Sequence, residues 1–424
     1  MKKNILVFPC GSEIGLDIYS SACYSTHFHL IGASSVDDHG RFVYEDYIPN
    51  IPFVNSEDFI PSIARIVKER NIDAIYPTMD LVITILKQNE HELGCKIVSS
   101  PVETTNICLS KELTYHKLKD TILIPQIYNP INIPNSAFPI FAKPKIGYGA
   151  KGTKLLKNQN EVDAFIQDKD DIMLLEYLPG EEFTVDCFTD KKGHLLYSAA
   201  RKRNRIKDGI SVNTFFVENQ EEFIEIANKI NKAITFRGAW FFQTKRNKEG
   251  KLCLLEIASR LGGSSLLSRA IGVNFALLSL FDIFDCDVEI SKNGYKVELD
   301  RALENKYRTN LEFDIVYCDY DDCLILNQTK VNVELVKFLY KCVNEKKKII
   351  LLTKHKGDLT KELKEFRLDS LFDKVIHIES NANKAEYVKS QKAIFIDDSN
   401  AERMDIKRKL QIPVLSPDMI DILL

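Results

Sequence analysis

Apolar positions in the first hundred residues cluster in short runs at 5–8, 29–31, 74–76 and 96–98. Between them, stretches such as 58–70 and 81–91 repeat apolar residues every three to four positions. Short runs of this kind are strands, and the longer spacing is that of amphipathic helices. The alternating order predicts a parallel sheet with helices on its faces. Gly11 and Gly15 follow the first strand and open a helix, which makes this junction a glycine turn. It lacks GxGxxG, and no acid stands suitably at the end of the second strand, so a dinucleotide fingerprint is excluded.

The texture changes further along. Positions 125–139 are rich in Pro and Asn with little periodicity and read as a linker or long loop. Apolar runs are then joined by tight turns at 191–193 and 247–250, with a helical stretch at 221–234 between them. Tight turns of this kind predict antiparallel sheet. At 312 the alternation resets. Strands are expected at 313–318, 349–352 and 393–396, with a helix at 333–344, forming a second small α/β sheet. The fold class is therefore α/β and α+β, in domains spanning 1–105, 106–311 and 312–424.

Composition narrows the function. The 424 residues are 45% hydrophobic and 28% charged, with a net charge of -3. That balance offers no electrostatic case for nucleic acid. No apolar stretch reaches the roughly 20 residues that cross a bilayer. The opening run is short and interrupted by Pro9 and Gly11, so it reads as a buried strand rather than a leader. The ten cysteines are scattered, without CxxC pairs or zinc-ligand spacing. Reduced thiols and a cytoplasmic location are expected.

Three segments carry candidate chemistry in the middle of the chain. In the first, a strand delivers Lys143 into a loop holding Gly147, Gly149, Lys151 and Gly152. Glycines let backbone N–H groups approach phosphate oxygens, and lysine supplies a compact charge. In the second, Glu176-Tyr177-Leu178 end a strand and Glu182 begins another. A carboxylate there suits ribose hydroxyls, and a bare segment end suits an adenine edge. In the third, two strands end in Gln243 and Glu256, with Arg260 beyond. Oxygen donors at strand ends suit Mg²⁺, and Arg260 suits a transferring phosphoryl group. Taken singly, each segment also fits an ordinary hairpin.

In this order and spacing the segments resemble the ATP-grasp superfamily, in its carbamoyl-phosphate-synthase-like branch, over roughly residues 1–310. The resemblance implies a pre-ATP-grasp domain followed by the grasp itself. It implies ATP and Mg²⁺ (or Mn²⁺) as cofactors. It places Lys111 with Lys143 on the phosphates, Glu176, Tyr177 and Leu178 at adenine, and Glu182 at ribose. Gln243 and Glu256 would hold metal, and Arg201 or Arg203 would lie near the phosphoryl site. The implied reaction joins a small-molecule carboxylate to an amine through an acyl phosphate, and the branch admits a homodimer. This chain departs from the family's Glu-x-Asn metal triplet, having Ala258 where the second ligand stands.

A second constellation follows. One strand ends in Asp319, Asp321 and Asp322, another in Thr353, and a third in Asp397 and Asp398, with Lys384 between the last two. Grouped carboxylates need a cation or a proton to coexist. A single such acid would pass as a helix cap. The fourfold pattern resembles the haloacid dehalogenase superfamily over 312–424, a Rossmannoid domain here without a large cap. It implies Asp319 as nucleophile, Asp321 as general acid/base, and Thr353 and Lys384 on the phosphoryl group of a phosphorylated substrate. Mg²⁺ would sit on Asp319, Asp397 and Asp398, with Asp321 as a further candidate ligand. Cys323 replaces the family's Thr. Two alternatives stay open: a ligase whose last domain only binds phosphate or packs, and a nucleotide-binding sensor without turnover.

Overall fold

The computed structural model describes residues 2–147, 151–167, 169–207 and 209–424. They form two compact units, through Leu303 and from Glu304 onward.

The first unit opens with a five-stranded parallel sheet. Its order is Asp46–Ile48, Phe28–Ala33, Lys3–Phe8, Ala74–Pro77 and Lys96–Ile97. Helix Glu13–Ala22 begins where Ser12 accepts the Gly15 N–H, a cap that satisfies one orphan donor. Helix Phe59–Glu69 buries Phe59, Ile63, Ile66 and Val67, the i, i+4, i+7, i+8 face that the spacing predicts. A single helix, Val102–Leu109, runs through position 105. Thr104 Oγ1 donates to Thr235 O at 2.6 Å, which ties this helix to the following layer.

Two antiparallel sheets follow. The smaller runs Ile127–Tyr128, Ile172–Glu176, Ile140–Pro144 and Lys154–Leu156. The larger runs Leu252–Ala258, Gly238–Arg246, Glu182–Thr189, Leu195–Lys207, Ile210–Phe216 and Glu298–Asp300. Both expected tight turns join neighbouring strands of the larger sheet. Gly193 and Gly250 take φ of 85° and 78° there, conformations that favour glycine. Helix Glu221–Ala233 covers the larger sheet with Phe223, Ala227 and Ile230. Trp240 stacks on Phe236 at 4.0 Å beneath it. The stretch 125–139 is not wholly irregular. Ile127–Tyr128 adds an edge strand there, and Asn135–Ala137 make one 3₁₀ turn. A two-residue strand is too short to show a period.

The second unit is again a five-stranded parallel sheet, ordered Lys374–His377, Lys348–Thr353, Ile315–Cys318, Ala393–Ile396 and Val414–Leu415. A small antiparallel ribbon, Ile325–Leu326 with Lys330–Val331, follows the central strand. Helices Val333–Asn344, Leu359–Glu365 and Asn400–Leu410 are capped by Asn332, Asp358 and Ser399, each accepting a backbone N–H. Among the described residues of the chain, no helix is long and apolar enough to cross a membrane.

Candidate functional site

In the first unit, eight of the residues singled out above line one cleft of ≈ 310 Å³: Lys111, Lys143, Gly147, Lys151, Glu182, Arg203, Gln243 and Glu256. Six of them come from the two antiparallel sheets and helix Lys111–Leu118, and Gly147 and Lys151 lie between strands Ile140–Pro144 and Lys154–Leu156. Gly149 lies outside the described residues. Gly152 has φ +72° just beyond them.

The two lysines are held differently. Lys111, the first residue of its helix, donates to Gly147 O at 2.9 Å and stands 3.9 Å from Glu256. Lys143 is 7% exposed. Its Nζ donates to Tyr115 Oη at 2.8 Å and to Leu255 O at 2.9 Å. Burial pushes its ammonium down to about 8; Glu256 opposes that shift and Lys111 adds to it. A buried cation with neutral partners and a second cation nearby favours an anion in the cleft.

Gln243 and Glu256 are direct cross-strand partners, beside an irregularity in register. Their oxygens share the cleft, a donor set that suits a hard cation. Ala258 pairs with Phe241 at the next position on that face and is buried. Glu182 forms an ion pair with Arg203 Nε at 3.1 Å, and Arg203 also donates to Gly209 O at 2.6 Å. Burial lowers the Arg203 guanidinium.

Other residues stand apart from the lining. Glu176 ends its strand, where its carboxylate accepts the Gln126 N–H at 3.4 Å, and Leu178 is buried in the fold. Tyr177 lies between them and is half-buried. Arg201 is 1% exposed. It is paired to Asp186 through Nε at 2.6 Å and to Gly263 O at 2.9 Å. Glycine at 262 is required by this pair, because a Cβ there would meet Asp186 at 2.8 Å and Arg201 at 3.1 Å. Arg260 lies over the Phe241 ring and is gripped by Asp80 through two 2.9 Å bonds. Its strongest partner is thus a carboxylate of the parallel sheet's own helix, Asp80–Gln88.

In the second unit, carboxylate oxygens of Asp319, Asp397 and Asp398 lie within 4.8 Å of one another at the ends of adjacent strands. Lys384 Nζ bridges Asp319 at 2.9 Å and Asp397 at 2.7 Å, and is itself buried. Thr353 is fully buried at the end of the next strand. Burial, reinforced by Asp319, raises the Asp397 carboxyl to about 6. Lys384 offsets one of three negative charges, leaving the charge that one divalent cation balances. The donor set is all oxygen, so the residues fit Mg²⁺.

Asp321, the further candidate metal ligand, turns its side chain to a histidine. Its two oxygens sit 2.9 and 3.0 Å from His355 Nδ1 and not among the three grouped carboxylates. It lies past the strand end, in a turn where the Asp322 N–H donates to Ile325 O, and faces a different neighbour. His355 Nε2 lies 3.0 Å from Glu362. Burial opposes protonation of this imidazole, yet the hydrogen bonds and charges of the two acids raise its pKa. Cys323 is buried, with its thiol donating to Ile396 O.

The model of a family described as ATP-grasp in the biosynthetic pathway with Ter operon matches residues 168–302. No curated protein matches the chain. Among solved structures, similarity extends to biotin carboxylase from Campylobacter jejuni (TM-score 0.59, 16% identity, 68% of this chain and 72% of that one). N5-carboxyaminoimidazole synthetase from Staphylococcus aureus with ADP gives 0.57 at 15% identity, over 68% and 79%. L-amino acid ligase from Bacillus licheniformis gives 0.54 at 16%, over 67% and 74%. The first unit has the ATP-grasp fold.

Three side chains that organise the ATP-grasp unit escaped the sequence reading. Tyr115 stands four residues after Lys111, hence on the same helix face, and that spacing was a usable signal. Asp80 and Asp186 carried none, since their partners are set by tertiary packing. In the second unit His355 and Glu362 were missed as well. His355 lies only two residues beyond Thr353, close enough to have drawn attention.

Proposed function

We propose that the ATP-grasp unit is an ATP-dependent ligase joining a carboxylate to an amine or similar nucleophile. The observation that carries this reading is the meeting of Lys111, Lys143, Glu182, Gln243 and Glu256 around one cleft. In the proposed reaction a carboxylate oxygen attacks the γ-phosphorus and the bond to ADP breaks, giving an acyl phosphate. The nucleophile then attacks the acyl carbon, loses a proton and expels phosphate. Lys111 and Lys143 bind the phosphates, and Glu182 orients the ribose from its pair with Arg203. Gln243 and Glu256 would hold the divalent cation, which supplies charge neutralisation on the phosphoryl oxygens. With Ala258 at the third position, we assign the protein a single set of two ligands. Biotin carboxylase with an ATP analogue and the synthetase with ADP support nucleotide use by likeness of fold.

For the second unit we propose a Mg²⁺-dependent phosphatase of haloacid dehalogenase type. It is supported by the three grouped carboxylates and the buried Lys384 bridging two of them. Asp319 attacks the phosphorus, the ester oxygen leaves with a proton from Asp321, and water then hydrolyses the aspartyl phosphate. Lys384 and Thr353 hold the phosphoryl oxygens. The test is two assays on the full chain with Mg²⁺. ADP release should require a carboxylate and an amine together, and aryl phosphate hydrolysis should vanish in Asp319→Asn. ADP release indifferent to every second substrate sinks the ligase reading. Hydrolysis that survives Asp319→Asn sinks the phosphatase reading.

A further inference from the structure

The geometry points to His355 as a positioning residue that holds Asp321 as proton donor to the leaving group, with Glu362 and Tyr320 as its outer supports. This inference rests on the phosphatase reading of the second unit. His355 Nδ1 lies 2.9 and 3.0 Å from the two oxygens of Asp321, and Nε2 lies 3.0 Å from Glu362 Oε1. With a carboxylate at each ring nitrogen, both nitrogens carry hydrogen and donate. The far oxygen of Glu362 accepts the Tyr320 hydroxyl at 2.9 Å, and the Tyr320 ring packs edge-on to the imidazole at 4.8 Å. His377 Nε2 lies 2.6 Å from the His355 carbonyl, fixing the backbone beneath. The imidazole is mostly buried, whereas the Asp321 side chain is 45% exposed. The acid is therefore reachable and its support is sheltered.

Gly357 is an independent sign that the arrangement is built. A Cβ at 357 would lie 2.5 Å from both Glu362 Oε1 and His355 Nε2. The chain can pass there only as glycine while that hydrogen bond stands.

The proton balance is closed. His355 Nδ1 passes its proton to the Asp321 carboxylate, and as the P–O bond breaks the ester oxygen takes that proton from Asp321. The neutral imidazole keeps its Nε2–H on Glu362. In the second half, water attacks the aspartyl phosphate, and its proton returns through Asp321 to His355. Ester and water are consumed, and alcohol and phosphate are formed.

The test compares two substrates in the full chain with Mg²⁺: p-nitrophenyl phosphate, whose leaving group needs little protonation, and an alkyl phosphate, whose leaving group needs it fully. A positioned acid is worth about 10²-fold or more. His355→Gln should therefore cost the alkyl phosphate about 100-fold in kcat and the nitrophenyl ester less than about fivefold. Gly357→Ala, which wedges the pair apart while retaining both groups, should show the same inequality at smaller size. Equal losses on both substrates in either variant overturn the inference, because a merely structural role does not distinguish leaving groups. If the unaltered chain hydrolyses neither ester, the phosphatase reading fails and this inference fails with it. If Asp319→Asn is inactive while His355→Gln loses nothing on the alkyl ester, only this inference fails.

Discussion

Lys143 should take up a proton when nucleotide binds, and the amount should depend on pH. In the free protein its ammonium is buried against Tyr115 and the Leu255 carbonyl, and burial holds it down to about 8. Triphosphate oxygens in the cleft would return it toward the ordinary lysine value of about 10.4. At pH 8.5 about a quarter of the free protein is protonated at this site and nearly all of the complex, so binding should take up about 0.7 proton. At pH 7 the free protein is already about nine-tenths protonated and the uptake drops to about 0.1. The assay is calorimetry of a non-hydrolysable ATP analogue with Mg²⁺ in two buffers of different ionisation enthalpy, at each pH. Lys143→Met should fold, since holding this cation costs the free protein about 3 kcal/mol at pH 7, and losing its two hydrogen bonds costs a comparable 2–3 kcal/mol. It should lose most nucleotide affinity. Equal uptake at both pH values, or none at pH 8.5, would refute the reasoning.

Breaking the buried Asp186–Arg201 pair by Asp186→Ala should cost about 3–5 kcal/mol in urea unfolding, as an orphaned buried charge does. The double variant with Arg201→Met should cost clearly less than the two single changes summed, and additive losses would show that the pair is uncoupled. Asp80→Ala should cost about 2 kcal/mol, because it strips a half-buried Arg260 of two charge-assisted bonds; an unchanged unfolding midpoint would show the grip to be idle. Burial raises the Asp17 carboxyl to about 6, with Arg301 opposing it. The native state thus binds this proton more tightly than the unfolded chain. Its contribution is present below about pH 4 and is lost as pH rises through 6, by about 3 kcal/mol. Asp17→Asn should remove that fall in urea melts at pH 4.5 and 6.5, whereas a wild-type contribution that grows with pH would contradict the burial argument.

What was legible in the chain was local. Strand ends announce themselves by an apolar run closed by a polar side chain, so Lys143, Gln243, Glu256, Asp319, Thr353 and Asp397 stood out. Thr353 ends a strand, Asp319 and Asp397 follow one directly, and Lys143 and Glu256 stand within two residues of a strand's end. Gln243, however, stands three residues inside Gly238–Arg246, whose pairing runs on past the apolar run. Tight turns at Gly193 and Gly250 were readable because their backbone needs positive φ. Pairings over long separations were not. Asp80 meets Arg260 across 180 positions, and Tyr115 meets Leu255 across 140, and nothing in either neighbourhood encodes the other. The same limit hid the true company of two candidates. Asp321 lies just past a strand end and Arg201 at the middle of the strand Leu195–Lys207. Their partners, Asp186 and His355, are supplied by neighbouring strands and loops.

The most direct test of the account is a crystal structure of the full chain with a non-hydrolysable ATP analogue and Mg²⁺. Density for the nucleotide should fill the cleft, with phosphate oxygens within hydrogen-bond reach of Lys111 and Lys143 Nζ and the cation on Gln243 and Glu256. A saturated crystal with that cleft vacant, or with the nucleotide bound elsewhere on the chain, would contradict it.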